Sequence, residues 1–306
     1  MNELFKKLES CNLCPRRCLV NRVQKALGVC KVSDVPLVAS VSLHKGEEPV
    51  ISGTNGICNV FFAHCNLSCV FCQNYQISQN NVNCQSWLTD YHAIVKRIVG
   101  ILNQNINMVG FVSPTHQVPQ MVRIIEMLHQ QGYYPRIVYN TNCYDNPEVL
   151  RDISKLVNIY IPDLKYFDNG LAIKYSNAPN YFNFALEALK EMIWQKGTSL
   201  LIDKDGLMES GVILRHLVLP GHSEDSINIF ENLALHISSS IPVSLMSQYH
   251  PIGNLSQPLN RKLTIQEYQK VVARVEKLGF YRGWIQEIES NSYYLPDFSE
   301  SDPFSG

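Results

Sequence analysis

Seven of the ten cysteines in this 306-residue chain stand in two tight groups, and no other feature narrows its possible folds as much. Cys11, Cys14 and Cys18 lie close together, with Cys30 twelve residues on. Cys65, Cys69 and Cys72 form the second group, and Cys58, Cys84 and Cys143 stand outside both. In a reducing compartment, spacings of two or three intervening residues read as metal or iron–sulfur ligation more readily than as disulfides. The opening MNELFKKLES lacks the apolar stretch of a secretory signal, and no run approaches the roughly eighteen apolar residues of a spanning helix. A soluble, cytoplasmic protein without membrane contact is expected. Twenty-six basic residues against twenty-seven acidic ones leave a net charge of −1, so no global field recruits nucleic acid. The 45% hydrophobic content supplies a core for one large domain or two smaller ones.

From about residue 58 the chain alternates short β-branched or aromatic runs with amphipathic stretches, the pattern of successive βα units on a parallel sheet. Six strands are predicted at 59–63, 108–112, 136–140, 159–163, 212–219 and 242–248. Helices are predicted at 87–103, 117–131, 146–157, 181–196, 225–238 and 264–278. Thr264 followed by Glu267 fits a capping box at the start of the last. In such sheets the carboxyl ends of the strands gather the functional groups. Here those ends are polar: His64-Cys65, Ser113-Pro114-Thr115-His116, Asn140-Thr141-Asn142-Cys143, Asp163-Leu164-Lys165, Pro220-Gly221-His222 and Ser247-Gln248-Tyr249-His250. The expected organisation is a cysteine-rich metal-binding module and lead-in over 1–57, a barrel-like unit over 58–283, and a tail over 284–306. That tail holds five acidic residues and no basic one, and is expected to pack along the surface or trail partly disordered.

Three thiolates from one short loop can hold three irons of a 4Fe-4S cube, leaving the fourth open to a substrate or cofactor. A structural zinc site or an ordinary electron-transfer cluster would want a fourth ligand, which His64 or Cys58 could supply. The motif Cys65-x-x-x-Cys69-x-x-Cys72 directly after the first strand resembles that of the radical S-adenosylmethionine superfamily. The segments GEEPVISG (46–53), CNLSCVFCQNYQIS (65–78), YNTN (139–142), YIPDLKY (160–166), RHLVLPG (215–221) and MSQYHP (246–251) look like the pyruvate formate-lyase activating enzymes and their homologues, in a branch with an extra amino-terminal cysteine motif.

The resemblance implies an α/β fold, a partial (β/α)6 barrel, and an oxidoreductase using a 4Fe-4S cluster and S-adenosyl-L-methionine. Such an enzyme cleaves the cofactor reductively to a 5'-deoxyadenosyl radical, which takes hydrogen from a glycyl residue of a partner enzyme. It further implies an electron donor such as flavodoxin or ferredoxin. By resemblance Cys65, Cys69 and Cys72 ligate the cluster and Phe71 and Gln73 lie near the adenine. Arg215 meets the methionyl carboxylate, as a guanidinium suits a carboxylate through paired donors, and His250 lies near the adenosyl group. Asn140, Thr141 and Asp163 match a monovalent-cation site, with Asn140 where an aspartate is usual. Where the family commonly places Gly-Gly-Glu for the methionyl amine, this chain has Ser113-Pro114-Thr115-His116, so Thr115 or His116 is expected to receive it. The Gly46-Glu47-Glu48-Pro49 string precedes the cluster and is read as no substitute.

Cys11, Cys14, Cys18 and Cys30 fit either an auxiliary 4Fe-4S cluster or tetrahedral zinc. Arg16, Arg17, Arg22 and Lys25 would offset their charge, or alternatively bind a phosphate backbone or acidic partner. Cys143 and Lys165 are candidate catalytic groups, the former weighed against a buried, inert thiol. His216 is expected to face the helices, opposite Arg215 on its strand. Two other functions stay open: a radical enzyme acting on a peptide, metabolite or RNA, and a non-catalytic iron–sulfur or zinc protein.

Overall fold

The computed structural model describes residues 2–288, 295–300 and 302–304. Among these the chain begins with α1 (Asn2–Lys6), then β1 (Val38–His44), α2 (Pro49–Ser52), β2 (Ile57–Phe62), α3 (Tyr75–Ser78), α4 (Tyr91–Leu102) and β3 (Met108–Val112). It continues through α5 (Val118–Gln130), β4 (Arg136–Thr141), α6 (Pro147–Asp152), β5 (Ile159–Pro162), α7 (Asn169–Ser176) and α8 (Tyr181–Lys196). The last part comprises β6 (Leu201–Ile202), β7 (Met208–Val212), β8 (Leu214–Leu217), α9 (Ser223–His236), β9 (Val243–Met246), α10 (Ile265–Lys277) and β10 (Gly283–Ile285).

β2, β3, β4, β5 and β7 pair in parallel in that order, and β8, β9 and β10 form a second parallel set. The two are one curved surface: β7 runs through Ile213 into β8, and Asp163 bridges to Arg215 between β5 and β8. This is the partial α/β barrel that the sequence implied. Two antiparallel strands extend its rim, β1 beside β2 and β6 beside β7. β1 therefore joins the sheet although it lies in the lead-in. β10 likewise carries Trp284 and Ile285, the first residues read as tail, into the sheet.

The two-residue period of a strand explains how the barrel is filled. Val109, Phe111, Ile137, Tyr139 and Tyr160 point outward into the main core beneath the helices. Ile57, Met108, Val138, Ile159 and Ile213 point inward and close the barrel floor. Two residues further along the same faces stand Asn59, Gly110, Asn140, Ile161 and Arg215, so a largely polar layer rests on the apolar floor. Gly110 is needed there, because a Cβ would stand 2.2 Å from Asn59 Oδ1.

The helices start where local chemistry supplies orphan amide donors with partners. Asp90 accepts from Ala93 N at 2.9 Å ahead of α4, and Asn146 accepts from Glu148 N at 3.1 Å ahead of α6. The capping box of α10 is complete, Thr264 and Glu267 each accepting from the other's backbone amide. α7 was not anticipated; Asp168 caps it through Leu171 N at 2.7 Å.

Candidate functional site

His64 takes a left-handed φ of 64° directly after β2, and Ser68 does so at 56°. These two turns fold the Cys65–Cys72 loop back over the carboxyl ends of the strands. Cys65, Cys69 and Cys72 line one cavity of about 210 Å³ together with Phe71, Gln73, Asn140, Thr141, Asp163, Lys165 and Arg215. A second cavity of about 390 Å³ shares Gln73, Asn140, Arg215, Met246 and Gln248 with it, so the two are continuous. Its far walls are His44, Glu47, Glu48, Trp284, Gln286, Pro296 and Phe304.

The sulfurs are surrounded by donors. Ser176 Oγ donates to Cys69 Sγ at 2.8 Å, while Leu67 N and Asn142 Nδ2 each donate to Cys65 Sγ at 3.4 Å. Burial pushes the Cys69 thiol up to about 12 and raises that of Cys72. Deprotonated sulfur at these positions therefore requires a cationic partner, which an iron cluster provides. Asp163 Oδ1 is buried without a hydrogen-bond partner, although its Oδ2 takes the Lys165 ammonium at 2.8 Å. Burial works against the Lys165 charge, but Asp163 and the thiols of Cys69 and Cys72 raise its pKa. A cavity with three cysteine sulfurs, an unpaired carboxylate oxygen and a guanidinium fits an iron–sulfur cluster beside a zwitterionic cofactor.

Arg215 is held by two carboxylates that the sequence reading set aside. Its Nε donates to Glu48 Oε1 at 2.8 Å, and Nη2 pairs with both Glu47 and Glu48. Glu47 Oε1 also accepts from Asn59 Nδ2 at 2.7 Å. Burial opposes the Glu47 charge, but Arg215, His44 and these hydrogen bonds outweigh it and hold the carboxyl well below its usual range. The Gly46–Pro49 string thus belongs to the site, brought there because β1 pairs with β2 and delivers the following loop onto the barrel mouth.

Thr115 and His116 do not reach this cavity. Ser113 adopts a left-handed φ of 54° and the 3-10 turn Pro114–Gln117 carries both side chains away. Thr115 Oγ meets Thr141 Oγ at 3.1 Å, and His116 Nε2 donates to Ala63 O at 3.0 Å. Burial pushes the His116 imidazole down to about 3. Thr141 lines the cavity and donates its hydroxyl hydrogen to the buried Asp145 at 2.5 Å, which leaves its oxygen lone pairs as acceptors. Cys143, at φ 63°, points its thiol at Ala185 O, 3.3 Å away in α8, and is no cavity residue. His250 lies outside both linings, with Nδ1 buried and unpartnered. His216 faces the helices as expected, bonded to Leu164 O and Ser226 Oγ.

Cys11, Cys14, Cys18 and Cys30 gather around one small cavity, lined also by Arg22, Asn66 and His116. Of the basic residues beside them, Arg16 and Arg22 turn inward to backbone carbonyls, and Lys25 pairs with Asp34 at 2.5 Å. Arg17 stays exposed beside Cys18.

The sequence profile of the Radical SAM superfamily matches residues 59–233 of this chain. The chain belongs to that superfamily, whose members use a 4Fe-4S cluster and S-adenosylmethionine. It is 28% identical over 285 residues to the uncharacterized protein MJ0674 of Methanocaldococcus jannaschii, covering 90% of this chain and 77% of that one. Among solved structures it is similar to HydG, a maturase of the [FeFe]-hydrogenase, with a TM-score of 0.50 at 15% identity over 78% of this chain. HydG from Carboxydothermus hydrogenoformans gives the same TM-score of 0.50 at 13% identity over 77%. The chain spans 54% and 55% of those two structures, and the likeness is one of fold. Among the described residues no helix is long and apolar enough to cross a membrane.

Proposed function

We propose that this chain reductively cleaves S-adenosylmethionine and takes a hydrogen atom from a substrate seated in the far cavity. One observation carries the reading: the cysteine-lined cavity opens directly into a larger one, and Arg215 stands on their shared wall. When bound, the cluster and cofactor supply a 5'-deoxyadenosyl radical. Cys65, Cys69 and Cys72 hold the cluster, and Phe71 and Gln73 border the adenosyl side. Arg215 would meet the methionyl carboxylate through its guanidinium donors. Glu47 and Glu48, which line the adjoining cavity beside Arg215, would offer the carboxylate acceptor for the methionyl amine in place of Thr115 and His116. Asp163, with its unpartnered oxygen, Asn140 and Thr141 are the groups that would face a monovalent cation. The electron arrives from a carrier such as flavodoxin or ferredoxin.

A glycyl residue of a partner enzyme is the substrate that the activating-enzyme resemblance suggests. A small molecule or short peptide is favoured by the carboxyl-terminal segment. Pro296 and Phe304 form part of the far cavity's wall, with the Phe304 ring 4.1 Å from that of His44, and Phe298 packs on Phe61 at 5.2 Å. A partner loop would have to displace them. The amino-terminal cysteines hold a second metal group.

The test uses extracts of cells grown in deuterated medium, split by size and added to reconstituted enzyme with unlabelled S-adenosylmethionine. Deuterium in 5'-deoxyadenosine driven by the low-mass fraction supports the small-substrate reading. Deuterium driven only by the protein fraction restores the glycyl one, and none from any fraction contradicts hydrogen abstraction.

A further inference from the structure

We infer that Cys11, Cys14, Cys18 and Cys30 hold a second iron–sulfur cluster that relays electrons from an external one-electron carrier to the barrel cluster. The relay half of this inference rests on the barrel site being reductively driven.

The first support is an unbalanced charge. Arg22 is 1% exposed, and its guanidinium donates to Ser33 O, to His116 O and, at 3.7 Å, to Cys11 Sγ. Every hydrogen bond it makes among the described residues ends on a carbonyl or a sulfur, never on a carboxylate. A buried cation of this kind is costly unless an anion lies beside it. Metal-bound thiolates are the anions available. Val29 N also donates to Cys18 Sγ at 3.4 Å, the same amide-to-sulfur contact that Leu67 makes in the barrel loop.

The second is size. Zinc holds sulfur at about 2.3 Å, which leaves no room for a water-sized sphere among four ligands. The cavity that these four cysteines line holds about 10 Å³, about one such sphere. A four-iron cube spans wider sulfur spacings because its iron–iron edges separate the ligands.

The third is position. The two cysteine groups stand back to back, with the segment His64-Cys65-Asn66 between them. His64 Nδ1 meets Cys30 O at 3.0 Å, one residue from a barrel ligand. Asn66 borders the amino-terminal cavity, and its Oδ1 accepts at 2.7 Å from the Asn142 amide that also donates to Cys65 Sγ. Arg16 ties the module to the same loop through Asn66 O at 2.8 Å and to the backbone of Ser176, whose hydroxyl touches Cys69. Cys18 is the half-exposed ligand, and Arg17 and Lys31, chain neighbours of Cys18 and Cys30, are exposed. An acidic electron carrier fits that entry. One electron leaves the reduced carrier, resides on the amino-terminal cluster, and passes to the barrel cluster. No bond forms or breaks, and only the carrier ends oxidised.

The test begins with the Cys65/Cys69/Cys72→Ala variant, reconstituted anaerobically with iron and sulfide. It is expected to keep about four irons and four sulfides per chain, half the parent's load. An iron-free variant, or one holding a single zinc, overturns the cluster. In the parent reduced by two electrons, each paramagnetic cluster is expected to broaden the other's spin-resonance signal. For the relay, the Cys14→Ser/Cys18→Ser variant is mixed with reduced flavodoxin in stopped flow. Barrel-cluster reduction is expected to slow by about tenfold or more. S-Adenosylmethionine binding to the barrel cluster, followed spectroscopically, shows that the variant is folded. An unchanged rate in that folded variant overturns the relay. A parent that carries both clusters yet never cleaves the cofactor would refute the proposed activity and leave the second cluster standing.

Discussion

Replacing Arg215 by Met keeps an apolar stem of similar length and deletes the guanidinium that Glu47 and Glu48 share. Those side chains are 9% and 6% exposed, so neither recovers its hydration. Removing one partner of a buried ion pair costs about 3–5 kcal/mol. A chain of 306 residues unfolds with about 2.1 cal/mol/K per residue, roughly 0.6 kcal/mol/K in all, so the melting temperature at pH 7 should fall by about 5–8 °C. The pH dependence carries the sign of the argument. In the parent, Glu47 has its pKa lowered on folding, so its contribution is present above the unfolded carboxylate value and is lost as pH falls through the folded one. In Arg215→Met, burial dominates and the folded pKa of Glu47 rises, so the variant carries a penalty at pH 7 that protonation relieves. The gap between the two proteins should narrow as pH drops from 7 toward 4. Adding Glu47→Gln to Arg215→Met should recover part of the loss at pH 7. Scanning calorimetry of both chains across this range provides the assay. A gap that stays constant with pH, or one under about 1 °C, would mean that the carboxylates are not desolvated and that Arg215 does not hold them.

Three further outcomes test individual contacts. Ser176→Ala removes the hydroxyl on Cys69; hydrogen bonds to cluster sulfur favour the reduced state, so the barrel cluster's potential should fall by tens of millivolts in a redox titration, and an equal or higher potential contradicts the contact. Gly110→Ala drives a methyl into Asn59 Oδ1 and should cost about 1–3 kcal/mol in denaturant unfolding, but under about 1 kcal/mol when Asn59 is already Ala. Cys143→Ala should lose on the order of 1 kcal/mol of stability and leave cofactor cleavage at the parent rate, since the thiol faces Ala185 O. A large loss of cleavage in a folded Cys143→Ala variant would return that residue to the site.

The barrel was legible because each βα unit announces itself locally, as in the capping box of Thr264 and Glu267 or the apolar run before Asn140. Strands without such a signal were missed. β7 reads MESGV, with polar residues in the middle, and β10 is three residues held by pairing with β9. Gly283 permits that pairing at a φ of 115°, where a Cβ would meet Val243 O at 2.0 Å. The cysteine loop and Arg215 were legible because their residue types carry the chemistry. Glu47 and Glu48 were not, since two acids in a loop look solvated until the antiparallel pairing of β1 with β2 folds them under Arg215. Thr115 and His116 stand outside the cysteine-lined cavity for a backbone reason, the left-handed Ser113, which side-chain chemistry does not announce. Cys143 is likewise turned away, at a left-handed position of its own that points the thiol into α8.

The central claim is that Cys65, Cys69 and Cys72 support reductive cleavage of S-adenosylmethionine. Its most direct measurement is 5'-deoxyadenosine formed by the anaerobically reconstituted protein with reductant and S-adenosylmethionine, beside the Cys65/Cys69/Cys72→Ala variant. The account predicts product from the parent and none from the variant. A fully loaded parent cluster that binds no S-adenosylmethionine and forms no 5'-deoxyadenosine would contradict it and mark the chain as a non-catalytic iron–sulfur protein.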